Sequence, residues 1–193
     1  MNHNIGVLAL QGAFAAHAEC LVAVGASPRE VRKPADLVGL DGLLLPGGES
    51  STMSQLLDSS GLFDSITQLL GAGMPVLGTC AGLILLSSEI LDGRADQRCF
   101  GAIDVSVRRN AYGRQVDSFE TDLETSLGSM RAVFIRAPRI ERVGDGVEVL
   151  ADREGEPVLV RQGSVLGATF HPELSGSTIV HEYFVRLTAK GTV

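Results

Sequence analysis

The sequence contains no tryptophan, and aromatic residues make up only 5% of its 193 residues. Its core therefore has to be aliphatic, and the 45% apolar content supplies enough Val, Leu, Ile and Ala to build one. Cysteine is also scarce. Cys20, Cys80 and Cys99 are odd in number and thinly spread, which argues against a disulfide scaffold. None belongs to a C-x-x-C pair, and no cluster has metal-ligand spacing, so neither a metal site nor a dithiol redox site is expected. Basic residues are outnumbered 16 to 23, for a net charge of −7. Nucleic acids and anionic membranes select basic faces, so neither is an expected partner. No apolar run approaches the ~20 residues of a bilayer span. Met1-Asn2-His3-Asn4 lacks the basic start of a signal peptide, so a cytoplasmic location is expected.

The first half alternates short apolar runs with helical patterns. Strands are expected at Ile5–Leu10, Glu30–Arg32, Leu43–Leu45 and Pro75–Gly78. Helices are expected at Ala13–Val24, ended by Gly25, at about Ser51–Leu70 with a break near Gly61, and at Leu83–Ser88. Runs bounded by Gly and Pro without polar alternation suit a parallel sheet covered by helices. From Ala102 to Thr169 the strands are closer to alternating: Ile103–Val107, Gln115–Phe119, Ala132–Arg136, Val147–Ala151, Pro157–Val160 and Val165–Phe170. They suggest antiparallel hairpins added to the sheet, before a last helix at about Ser177–Thr188. The expectation is one α/β domain over residues 1–193: a mixed, mostly parallel sheet with helices on both faces.

Three motifs carry chemistry. Gly78-Thr79-Cys80-Ala81-Gly82 lies between a strand and an apolar helix, the arrangement of a nucleophile elbow. Small flanking residues let the chain turn sharply, and the thiol then faces a helix N-terminus, which suits an anionic nucleophile. The N–H of Ala81 is placed to donate to an oxyanion. In Phe170-His171-Pro172-Glu173, His171 and Glu173 share a face if the chain is extended, and a carboxylate beside an imidazole fixes its tautomer. If the strands before Cys80 and His171 are parallel, both residues emerge at one sheet edge and form a Cys–His–Glu triad. Pro46-Gly47-Gly48-Glu49-Ser50-Ser51 is a Gly-rich turn before a helix, with no P-loop lysine, and its N–H groups suit a carboxylate or an oxyanion. His17 and His181 read as structural or surface residues, Cys20 as core, and Cys99 lacks an elbow.

These motifs together resemble the class I (triad) glutamine amidotransferases. Leu10-Gln11-Gly12, Gly47-Gly48-Glu49-Ser50, Arg109-Asn110, the string from Gly113 to Glu120, and Phe134-Ile135-Arg136-Ala137-Pro138 are similar, more narrowly, to the glutaminase subunits of pyridoxal 5′-phosphate synthases. The likeness runs from Ile5 to about Phe184. It implies a three-layer, flavodoxin-like α/β fold and hydrolysis of glutamine to glutamate and ammonia without cofactor or metal. Cys80 would be the nucleophile, His171 the base and then the acid, and Glu173 the orienting carboxylate. Gly48, Glu49 and Ser50 would hold glutamine, with Arg109, Ile135 and Arg136 completing the pocket. Gly48 and Ala81 would form the oxyanion hole, and Gln11 and Gly12 the segment coupled to a partner. That partner would be a synthase subunit in a hetero-oligomer, since 193 residues leave room for a glutaminase domain alone. A stand-alone Cys hydrolase of γ-glutamyl bonds would use the same triad. A catalytically idle regulatory subunit would be expected to have lost a triad member, and none is missing.

Overall fold

The computed structural model describes residues 3–109 and 118–190. The chain opens with β1 (Asn4–Leu8), α1 (Phe14–Ala23), β2 (Ser27–Val31) and β3 (Gly42–Leu45). Two helices follow, α2 (Ser50–Ser59) and α3 (Leu62–Gly71), then β4 (Val76–Thr79) and the short α4 (Ala81–Leu86). Gly25 and Gly61 take positive φ, 80° and 73°, where a side chain would be strained. They end α1 and separate α2 from α3, as the sequence leads one to expect.

The second half supplies β5 (Ser87–Ile90), β6 (Ile103–Arg108), β7 (Ser118–Thr125), β8 (Gly128–Ile135), β9 (Arg139–Val143), β10 (Glu148–Arg153), β11 (Glu156–Gln162), β12 (Val165–Ala168) and α5 (Ile179–Lys190). The main sheet has seven strands in the order β10-β11-β12-β4-β3-β1-β2. The pairs from β12 through to β2 are parallel, while β11 is antiparallel to both β10 and β12.

Alternate residues of the buried strands feed opposite faces. Leu43 and Leu45 pack with Met53, Leu57, Phe63, Ile66 and Leu83, from α2, α3 and α4. Leu44, Ile5 and Val7 pack on the other face with Leu21 of α1 and Phe184 of α5. The core is aliphatic apart from a few phenylalanines, as the composition requires. Among the described residues no helix is long and apolar enough to cross a membrane.

Three expectations need correction. The expected helix to Ser88 stops at Leu86, and Ser87–Ile90 becomes a strand. The carbonyls of Leu85 and Leu86 accept from the N–H groups of Phe100 and Ala102 at 2.6 and 2.8 Å, and Ser87 Oγ donates to the Ile84 carbonyl at 2.7 Å. The returning chain thus takes over the helix end. Strand β9 has no counterpart in the sequence reading, because Arg139-Ile140-Glu141-Arg142-Val143 carries only two apolar residues. Of the strands expected over Ala102–Thr169, only β10, β11 and β12 join the main sheet. Strands β7 and β8 form a separate ribbon, and β5, β6 and β9 a separate small sheet. Most of the expected strand Gln115–Phe119 lies outside the described residues, as does the string from Asn110 to Asp117.

Candidate active site

Parallel pairing decides where the chemistry meets. β4 lies beside β12 in register, Thr79 opposite Ala168, so the residues that follow both strands emerge at one edge. The Cys80 N–H donates to the Ala168 carbonyl at 2.9 Å. Cys80 itself has φ 48° and ψ −106°, a conformation L-residues rarely adopt. The glycines of the elbow permit it. A Cβ on Gly82 would lie 2.0 Å from the Leu45 carbonyl oxygen, and one on Gly78 would lie 2.6 Å from the Gly82 carbonyl carbon. Ala81 opens α4, and first-turn N–H groups of a helix have no intrahelical acceptor. Its N–H is therefore available to an anion beside Cys80.

His171 is buried, and its N–H donates to the Val133 carbonyl at 2.8 Å, which ties it to the β7–β8 ribbon. Its Nδ1 lies 2.8 Å from Glu173 Oε1, and its ring also hydrogen-bonds the Cys80 thiol. Burial disfavours the charged ring, but the bonds to Cys80 and Glu173 outweigh it and raise the His171 pKa to about 10. His171 is therefore protonated at neutral pH. Burial likewise works against the Glu173 carboxylate, and the His171 bond and nearby His17 overcome it, so its pKa is lowered.

Above this line opens a cavity of about 380 Å³. It is lined by Cys80 and His171, by Gln11, Gly48, Glu49 and Ser50, and by Arg109, Ile135 and Arg136. The structure thus brings together nine of the twelve residues singled out from the sequence. Glu173 stands behind His171, Ala81 begins the helix under Cys80, and Gly12 packs on Gly47, where a Cβ would meet the Gly47 oxygen at 1.8 Å. Gly47 is equally confined, since a Cβ there would lie 2.5 Å from His171 Cε1. The Gly47 carbonyl accepts from Ala13 N–H at 3.3 Å, and Gln11 Oε1 accepts from Glu49 N–H at 3.3 Å. The Gln11–Gly12 turn and the Gly-rich loop are therefore clasped together.

Two charged residues are more occupied than the sequence suggests. Glu49 caps α2: its carboxylate accepts from the N–H groups of Ser51 and Thr52 and from both their hydroxyls, at 2.6–3.2 Å. Burial opposes its charge, yet these bonds prevail and hold its pKa at about 2. Arg109 Nη1 donates to Ser51 Oγ at 2.9 Å and to Gln97 Oε1 at 3.2 Å, and lies 3.7 Å from Glu49. Its Nε is buried without a hydrogen bond. Gln97 also donates to Ser50 Oγ at 3.0 Å. Arg136 follows β8 with φ 46°. Of the three non-glycine residues with positive φ among those described, two, Cys80 and Arg136, line this cavity. Strain held at such positions commonly marks a functional site.

Sequence reasoning missed Ile84, which adds an apolar wall. Its position one helical turn after Cys80 is the signal that could have found it. It also missed Gln97 and Asp92, whose carboxylate holds the Arg109 N–H at 2.7 Å, and for these no motif exists. His17 and His181 are fully buried behind Glu173.

A model of the SNO glutamine amidotransferase family matches residues 7–190. The chain belongs to this family. It is 56% identical over 193 residues to a pyridoxal 5′-phosphate synthase subunit PdxT of Mycobacteroides abscessus, covering 99% of this chain and all of that one. It is 53% identical over 189 residues to the PdxT of Corynebacterium jeikeium, with 95% of each chain covered. A crystal structure titled as a glutamine amidotransferase superposes with a TM-score of 0.91 at 49% identity, over 96% of this chain and 98% of that one. The α/β architecture with its mostly parallel sheet is thus that of an SNO family member.

Proposed function

We propose that the chain hydrolyses the side-chain amide of L-glutamine and passes the ammonia to the synthase subunit of a pyridoxal 5′-phosphate synthase. The observation that carries this reading is the buried line Cys80–His171–Glu173 at the foot of a cavity walled by a Gly-rich loop and Arg109. Family membership and the PdxT relatives support it. In this reading residues 1–193 act as one glutaminase domain in the cytoplasm, docked on the synthase in a hetero-oligomer.

The steps follow from the geometry. Cys80 Sγ attacks the amide carbon, and the carbonyl oxygen gains charge against the N–H of Ala81 and of Gly48. His171 gives its proton to the departing nitrogen, the C–N bond breaks, and ammonia leaves a thioester on Cys80. His171, now neutral, takes a proton from water as the water attacks the thioester, and glutamate leaves with Cys80 restored. Glu173 keeps the imidazole in one orientation throughout. Arg109, whose side chain lines the cavity, is placed to pair with the substrate carboxylate, and Ile84 and Ile135 to pack on its methylenes.

Ammonia release from glutamine, measured with and without the synthase on native protein and on a Cys80→Ala variant, tests this. Native activity should rise several-fold or more with the synthase. The variant should lose turnover by at least ~10³-fold while still binding the partner. Hydrolysis that survives Cys80→Ala would overturn the assignment, and faster cleavage of γ-glutamyl peptides than of glutamine would favour a stand-alone hydrolase.

A further inference from the structure

The catalytic line does not end at Glu173. Its Oε1 faces His171, while Oε2 is buried without a hydrogen bond of its own and lies 3.2 Å from His17 Nε2. The same Nε2 lies 3.0 Å from Oγ1 of Thr79, the residue before Cys80. His17 Nδ1 lies 2.9 Å from Nε2 of His181, which is 164 positions away on α5. Both rings have 0% exposure, and His181 Nδ1 is buried with no partner. The other titratable groups on this face are His171 and Cys20, whose Sγ lies 3.9 Å from the Glu173 carbonyl. Among the described residues no three His, Cys, Asp or Glu are arranged to hold a metal ion, so the cluster is a hydrogen-bonded one.

Proton counting orders it. The contact between the two rings carries one proton. If His17 Nδ1 held it, neutral His181 would carry its own proton on Nδ1, a buried donor with no acceptor. The His17 Nε2 lone pair would then face the Glu173 carboxylate. Stranding a donor and opposing lone pair to carboxylate are both costly. If His181 Nε2–H donates to His17 Nδ1, then His17 Nε2–H faces Thr79 Oγ1, with the Glu173 carboxylate 3.2 Å from the same nitrogen, and only one ring lone pair is left over. Neither ring is charged, because burial, against the pull of Glu173, lowers the pKa of His17 to about 4 and that of His181 to about 3.

Building on the glutaminase reading, we infer that His17 is a positioning residue for catalysis. It is held as the neutral Nε2–H tautomer by His181 and supports Glu173 Oε2 so that Oε1 meets His171. The catalytic line thereby extends through five buried side chains, from Cys80 on the elbow to His181 on the last helix.

Two measurements test this. In the native protein, long-range ¹H–¹⁵N spectra of the imidazoles should show His17 and His181 neutral and protonated on Nε2 at neutral pH. A charged His17, or one protonated on Nδ1, would overturn the inference whether or not glutamine is the substrate. In the glutaminase assay with the synthase present, His17→Leu should lower kcat by roughly 10–100-fold, leave KM nearly unchanged and move the alkaline limb of the pH profile to lower pH. His17→Gln keeps an N–H donor near the same point and should recover most of the loss. A folded His17→Leu protein with unaltered kcat and pH profile would overturn the positioning role, as would equal loss in both variants. Should the Leu variant not fold, the Gln variant and the native spectra still decide. Absence of glutamine hydrolysis in the native complex would instead count against the reading of function, and the spectra would stand apart from it.

Discussion

The cavity has two unlike walls. One is Cys80 and His171, buried and backed by Glu173, His17 and His181. The other is Glu49, Arg109 and Arg136, which reach toward solvent: the Glu49 side chain is 47% exposed and that of Arg109 18%. On the buried wall the His171 ring bonds both Cys80 and Glu173, and these bonds set the direction of the His171 and Glu173 pKa values against burial. On the outer wall charges are shared. Glu49 sits on a helix N-terminus, and Arg109 bridges Ser51, Gln97 and Glu49. The difference follows the work required. Moving a proton needs fixed partners and little water, whereas admitting a charged substrate needs groups that can exchange water for it.

The buried wall should break first and hardest. Gly82→Ala places a Cβ 2.0 Å from the Leu45 oxygen, a backbone atom that cannot swing aside. A cost of about 1–3 kcal/mol or more is expected, with melting lowered by about 2–4 °C per kcal/mol and glutamine turnover lost along with the elbow. A melting curve and an ammonia assay on the same sample check this. An active variant with unchanged melting would mean that the elbow tolerates a conformation other than φ 48° at Cys80.

Gly47→Ala separates positioning from folding. The added Cβ would lie 2.5 Å from His171 Cε1, a side-chain rather than a backbone atom, so the protein should fold while the imidazole is displaced. A fall in kcat of ~10²-fold with a nearly native melting temperature is expected.

On the outer wall the effects should be smaller and fall on binding. Arg109→Met removes a guanidinium that lines the cavity and whose Nε makes no hydrogen bond within the protein. Loss of a charge-assisted bond to the substrate carboxylate is worth roughly 1.5–3 kcal/mol, so KM should rise about tenfold or more while kcat changes little. A selective loss of kcat would place Arg109 with the buried wall instead.

The same contrast explains what could be read from the sequence. The parallel half was legible because its apolar runs stand between Gly and Pro signals, and Gly25 and Gly61 take the positive φ their positions imply. The elbow and the His-Pro-Glu string were legible because their chemistry lies in adjacent residues. The strand Ser87–Ile90 was hidden, because the pull on the helix end comes from Phe100–Ala102, more than ten residues on. Strand β8 was foreseen in its second half, at Ala132–Ile135, and β7 only at Ser118–Phe119, while the ribbon's separation from the main sheet is a tertiary choice that no local pattern records. His17 and His181 were read as bland for a similar reason. Each is a single histidine on an ordinary helix, and only the packing of α1 and α5 behind β4 brings them to Glu173.

The last expected effect spreads over a pH range and reads the histidines of the buried wall. His17 and His181 are held below the ordinary histidine value of 6.5, at about 4 and about 3, so between pH 6.5 and those values the unfolded chain binds more protons than the folded one. Stability must therefore fall as the pH is lowered through that window. His171 is shifted the other way, to about 10, so its contribution is complete below pH 6.5 and is lost as the pH rises toward 10. The two slopes meet near pH 6.5, where urea-unfolding midpoints should be highest, each fully engaged group contributing at most ~1.4 kcal/mol per pH unit. A maximum near pH 9 would mean that His171 does not hold its proton in the folded state. Replacing His17 with Gln should reduce the acid slope to the share of His181 and spare the alkaline one, which depends on the bonds of His171 to Cys80 and Glu173. Loss of both slopes together would show that the two titrations are a single coupled event, and the buried wall would then act as one unit from Cys80 to His181.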